Sequence, residues 1–200
     1  MIGLQVHRGS CAEKCATEYQ ISREDQDRYA KESYKRARDA MELGVFNDEI
    51  VPLKMPEKRG GKSSNESSDT SLISIDEQPL SVNLDKLPSL RPAFEKDGTV
   101  TAGNASSIND GAAALLFASE EAIKKYNLTP KAKIISMGVI GVMPNVMGIG
   151  PVEASNLALQ KAGLSIADMD IIELNEAFAA QSLACIRSWG LADDDIRINP

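Results

Sequence analysis

Ile171-Ile172-Glu173-Leu174-Asn175-Glu176-Ala177-Phe178-Ala179-Ala180 is the stretch on which the fold turns. Ile171–Leu174 reads as a strand, and the Ala-rich run Glu176–Trp189 behind it has the spacing of an amphipathic helix. Upstream, Lys133–Val142 is strand-like, and Pro151–Ala162 is a helix with Pro151 in its first turn and Gly163 closing it. Ser165-Ile166-Ala167-Asp168 is a turn of capping-box form, and Arg197-Ile198-Asn199 opens one more strand. Strand, helix, strand, helix, strand predicts an α/β layer on a parallel sheet.

Further towards the start, Gly111–Ala118 is a short run almost devoid of polar atoms, as expected for a strand buried on both faces or for a buried helix. Ser119-Glu120-Glu121 after it has the form of a helix N-cap. Ser22-Arg23-Glu24-Asp25 opens a helix in which Tyr29, Ala30, Tyr34, Ala37, Ala40 and Met41 recur on one face, with Gly44 as its stop. Glu49–Leu53 reads as a short edge strand, because Pro52 has no amide to give to a ladder. Pro56–Asp69 is a solvated loop or hairpin tip, after which Leu72–Ile75 returns as a strand. Its Lys58-Arg59-Gly60-Gly61-Lys62 is a charged tip or a phosphate contact. Leu84–Leu90 holds a turn or two of helix.

Composition removes several classes of function. With 22 Lys+Arg against 29 Asp+Glu the net charge is −7, which argues against a nucleic-acid surface and against attraction to an acidic membrane. The longest apolar runs fall far short of a bilayer crossing. Cys11, Cys15 and Cys185 are odd in number and widely spaced, so packing in a reducing interior is expected rather than a disulfide framework. One histidine and three cysteines restrict the acid–base and nucleophilic chemistry open to the chain.

Three segments are suited to chemistry. Thr99–Ser107 is rich in Gly, Ala and Ser, so a ligand can approach its backbone closely. Met147-Gly148-Ile149-Gly150-Pro151 opens a helix, where amides favour anions, but Pro151-Val152-Glu153 departs from a dinucleotide fingerprint. Asn175 stands between strand and helix, where active sites of open α/β sheets lie. It is either a helix cap or an amide that fixes a water or an oxyanion, helped by the positive helix end.

Taken together, Asn104-Ala105-Ser106-Ser107-Ile108-Asn109-Asp110-Gly111-Ala112, Met147–Pro151 and Asn175-Glu176-Ala177-Phe178 resemble, in order and spacing, the biosynthetic thiolases. So do Ser22-Arg23-Glu24-Asp25-Gln26-Asp27 and Gly44–Pro52. The resemblance implies a thiolase-like layered α/β fold, incomplete, with a partial loop domain over 1–101. The end of the N-terminal thiolase domain would occupy 102–129, and the start of the C-terminal one 130–200. It further implies a thioester Claisen condensation, two acetyl-CoA giving acetoacetyl-CoA and CoA, and the reverse thiolysis. Acetyl-CoA and CoA are the small-molecule partners and no cofactor beyond them is implied. A homo-oligomer, dimer or tetramer, and a cytoplasmic location, or alternatively a mitochondrial one, complete the expectation.

Carried over by position, Asn175 matches the asparagine that holds the water of an oxyanion hole. Ser106 matches a serine on the pantetheine arm, with Ala102 near it. Phe94 and Phe178 match aromatics of the CoA tunnel, and His7 a histidine of the CoA pocket. Arg8 stands where the family has a methionine facing the substrate. The acylated cysteine, the catalytic histidine and the second cysteine of the family belong to segments before and after these 200 residues. The alternative expectation is therefore a chain without catalysis that binds CoA or pairs with full-length subunits.

Overall fold

The packing centres on the helix that follows Asn175. The computed structural model describes residues 7–54 and 72–199. Pro56–Asp69 with its Lys58–Lys62 tip, and Met1–Val6, lie outside them. In chain order the elements are α1 (Arg8–Glu18), α2 (Arg23–Glu42), β1 (Leu53–Lys54), β2 (Leu72–Ile73) and α3 (Gln78–Ser81), then α4 (Glu120–Tyr126), α5 (Gly150–Ala162), β3 (Ile172–Glu173), α6 (Ala179–Ser188) and β4 (Ile198–Asn199). Tight 3-10 turns cover Leu84–Ser89, Pro144–Ile149 and Ile166–Asp168.

Helix boundaries follow the capping chemistry. Ser22 Oγ accepts from the Asp25 amide at 3.0 Å and Ser119 Oγ from the Ala122 amide at 3.2 Å, each satisfying an amide of a first turn. Gly163 ends α5 in the left-handed region at φ +70°, where a side chain would be strained. Asp168 closes the Ser165 box by accepting from both the amide and the hydroxyl of Ser165 at 2.7 Å.

Helix α6 is buried along Ala179–Ile186 on every side, not on one stripe as an amphipathic helix would be. Its small residues let α1 and α2 approach one side, where Leu183 and Ala180 meet Ala16 and Ile21. On the other side Cys185 and Ile186 join Val152, Ile172, Leu174 and Ile198. It also starts at Ala179, later than Glu176, because Phe178 is extended and bridged to Ala105.

The parallel pairing survives only in β3 and β4, with Ile172 opposite Ile198 and Glu173 opposite Asn199. β1 and β2 pair antiparallel; β1 holds only Leu53 of the expected Glu49–Leu53, since the chain is still turning through residue 49, and β2 holds Leu72 and Ile73 of Leu72–Ile75. Two expectations fail. Gly111–Ala118 is neither strand nor helix, and Leu115, Leu116 and Phe117 stand 71–84% exposed. Lys133–Val142 is not a strand either, with Ile134, Ile135 and Val139 exposed. An apolar run becomes a strand only when a neighbour supplies its ladder, and none among the described residues does. The second run instead lies along α5. Ser136 Oγ donates to the Ala158 carbonyl at 2.6 Å, and a Cβ on Gly138 would stand 2.0 Å from the Ala154 oxygen, so only glycine fits that seam.

Candidate functional site

The Asn175–Phe178 segment between β3 and α6 runs between two cavities. Asn175, Ala177 and Phe178 line one cavity of about 190 Å³, together with Arg8 and Cys11 of α1 and with Met147, Gly148 and Pro151. Glu176 points into another, of about 240 Å³, lined also by Tyr29, Ser33, Asn104 and Ser106. The structure thus joins two of the three chemical segments at the first cavity. The third, Thr99–Ser107, borders the second.

Asn175 does not cap α6. The residue before the helix is Phe178, in extended conformation and without a side-chain cap bond. The Asn175 amide is exposed and has no hydrogen-bond partner among the described residues. The expected help from the positive end of α6 is reduced, because the first helical amide, of Ala179, already donates to the Asn104 carbonyl at 2.9 Å.

His7, Phe94 and Phe178 come together as an aromatic row. The His7 and Phe94 rings lie 5.0 Å apart and tilted, and Phe94 meets Phe178 edge-on at 6.1 Å. His7 Nδ1 accepts from the Gly9 amide at 3.1 Å, which caps α1 and leaves Nε2 for another partner. A Cβ on Gly9 would stand 2.2 Å from the Phe94 ring, so this glycine makes the row possible. Ser106 is exposed, its amide donating to the Ala177 carbonyl at 3.0 Å. Ala102 is exposed and lines neither cavity.

The cysteines are packing groups. Cys11 Sγ donates to the Pro144 carbonyl and Cys185 Sγ to the Gly148 carbonyl, each at 3.5 Å, which fixes the turn carrying Met147. Burial first, then the nearby Glu18 and Cys11, pushes the Cys15 thiol up to about 11. Burial likewise holds Cys185 at about 11. Such thiols are poor nucleophiles at neutral pH. Tyr29, beside Glu176, is also shifted upward, by burial first and then by that carboxylate. Among the described residues no three His, Cys, Asp or Glu side chains are arranged to hold a metal ion.

Residues missed in the sequence are Glu13 and Gln181, both 4% exposed. The Glu13 carboxylate accepts from the amides of Thr99 and Val100 at 2.8–3.0 Å and from Thr99 Oγ1 at 3.0 Å. Backbone partners leave no side-chain signature, so no pattern marks such a residue in advance.

Residues 2–121 match the thiolase N-terminal domain and residues 128–200 the thiolase C-terminal domain. The chain belongs to the thiolase family. A probable acetyl-CoA acyltransferase of Staphylococcus epidermidis is 49% identical over 96% of this thiolase chain and 47% of its own length. The crystal structure of the Bacillus anthracis acetyl-CoA acetyltransferase superposes with a TM-score of 0.88 at 41% identity, over 99% of this chain and 48% of that one. Human mitochondrial 3-ketoacyl-CoA thiolase in complex with CoA gives 0.84 at 44% identity, over 98% and 46%. The chain spans about half the length of the curated relatives it matches. The fold is therefore a thiolase-like α/β fragment, and acyltransferase is the enzyme class of its family. Among the described residues no helix is long and apolar enough to cross a membrane.

Proposed function

We propose that this thiolase chain binds CoA thioesters and supplies an oxyanion-stabilising amide to acetyl-CoA C-acetyltransferase chemistry. That reaction joins two acetyl-CoA to acetoacetyl-CoA with release of CoA, and runs in reverse as thiolysis. The observation that carries the reading is Asn175, whose amide is exposed at a mainly apolar cavity and takes no part in capping the helix behind it. An amide held there orients a water towards the negative oxygen that develops on a thioester carbonyl. His7, Phe94 and Phe178 form a partly apolar wall of mutually tilted rings for the pantetheine arm, which passes on towards the exposed Ser106 and Ala102. CoA thioesters are the substrates, and no further cofactor is required for the condensation.

The acyl-accepting thiol of the reaction is not one of these three cysteines, which are all buried. The 200-residue chain by itself is therefore expected to bind CoA without turning acetoacetyl-CoA over. Loss of the enolate absorbance of acetoacetyl-CoA in the presence of CoA measures turnover, and calorimetric titration measures binding. Thiolysis above that of an alkylated control overturns the non-catalytic assignment, and absence of CoA binding overturns the site. In a chain assembly that does turn over, Asn175→Asp should lower kcat about a hundredfold while leaving most of the CoA affinity. Equal loss in both would return Asn175 to a structural role.

A further inference from the structure

The cavity that Asn175 shares with Met147 and Phe178 has one ionised side chain on its wall, Arg8. The rest of the lining is apolar, thiol or neutral amide, and no Asp or Glu borders it. Arg8 makes no hydrogen bond or ion pair with any of the described residues, although every other arginine of α1, α2 and α6 has a partner. Gln181 lines the same space, is 4% exposed, and has a buried Oε1 without a partner. Its Nε2 is taken by Cys185 Sγ at 3.6 Å, which leaves the Arg8 guanidinium as the charged donor on this wall. A cation with a rigid donor fork at the wall of an otherwise uncharged cavity fits a planar anion that enters on an apolar stem.

At about 190 Å³ the cavity is smaller than the roughly 300–1,000 Å³ of sites for drug-sized ligands, which excludes a nucleotide and admits a short acyl chain. We infer that Arg8 makes this site selective for acyl chains that end in a carboxylate, the half-thioesters of short dicarboxylic acids. The inference rests on the CoA-thioester reading above and extends it beyond acetyl groups. The thioester carbonyl lies at Asn175, the methylene stem runs along Met147 and Phe178, and the terminal carboxylate pairs with the Arg8 guanidinium. No new reaction step is involved, only the choice of acyl partner.

Calorimetric titration of the 200-residue chain with succinyl-CoA, glutaryl-CoA, butyryl-CoA, pentanoyl-CoA and free CoA tests it. The better carboxylated thioester should bind about tenfold or more tightly than its methyl-ended counterpart of equal length, the scale of a charge-assisted pair. In Arg8→Met that ratio should fall to about one, and in Arg8→Lys, which keeps the charge and loses the fork, it should fall between. Equal affinity of the two classes for the unsubstituted chain overturns the inference alone. So does a loss of free CoA binding in Arg8→Met as large as the loss of succinyl-CoA, because Arg8 would then read the phosphates of CoA. If neither CoA nor any thioester binds, the parent reading fails and takes the inference with it.

Discussion

Replacing Glu13 tests how α1 is fastened to the Thr99–Ser107 segment, which borders the second cavity. Its carboxylate is buried with no cation beside it among the described residues, and it is held by the amides of Thr99 and Val100 and by Thr99 Oγ1. Glu13→Ala leaves two buried amides without acceptors, at about 1–3 kcal/mol each, and adds a small cavity. The expected loss is about 3–5 kcal/mol. Glu13→Gln keeps the shape, and its one carbonyl can take the Oε1 position that receives both amides, at 3.0 and 2.9 Å. Its cost should be about 1 kcal/mol, the difference between a charged and a neutral acceptor. Urea unfolding of the three proteins gives the stabilities, and hydrogen exchange at the Thr99 and Val100 amides locates the effect. The reasoning is refuted if Glu13→Ala costs less than about 1 kcal/mol, or if both substitutions cost the same.

Two further outcomes concern ionisation. The Arg187 hydrogen bond, against some burial and with help from Arg28, holds Asp25 at about 2 rather than the ordinary 3.8. Its contribution is therefore complete above pH 3.8 and is lost as pH falls through about 2. Asp25→Asn should cost about 1 kcal/mol at pH 7, allowing for solvent screening, and should flatten the acid limb of a urea-midpoint profile between pH 4 and pH 2. An unchanged acid limb would refute this. With Cys15 and Cys185 at about 11, the native chain should react with a thiol-specific disulfide reagent at pH 8 far more slowly than the urea-unfolded chain. Native thiols that react as fast as unfolded ones would contradict the packing described for them.

What the sequence made legible was local. Ser22, Ser119, Ser165 with Asp168, Pro151 and Gly163 mark their helix and turn boundaries by chemistry that acts within a few residues, and all are seen in those roles. Helix α1 was not singled out, since Glu13 and Lys14 interrupt its apolar positions and the reason for Glu13 lies 86 residues away. Gly111–Ala118 and Lys133–Val142 have strand composition, but a strand is defined by its neighbour, and composition does not name one. At the site, Asn175, Phe178, Phe94, His7 and Arg8 were all named beforehand, and the structure gathers Asn175, Phe178 and Arg8 at one cavity with Phe94 and His7 alongside. Ser106 was grouped with them and stands at the other cavity, which residues 103–107 line together with Tyr29 and Ser33 of α2, neighbours that spacing along the chain does not name.

The parallel pairing of β3 with β4 also orders events in time. Two consecutive strands can run in the same direction only if the chain between them travels back, and α6 makes that return journey. The closure entropy of this loop must be met before a ladder of two residue pairs gives anything back. The two strands are 26 residues apart, whereas α6 and α2 are joined across 162, so β3, α6 and β4 come together ahead of the contacts of α6 with α1 and α2. Changes in Ile198 should slow the approach to the native state, whereas changes in Ala16 or Ile21 should leave that rate alone and shorten the lifetime of the state once reached.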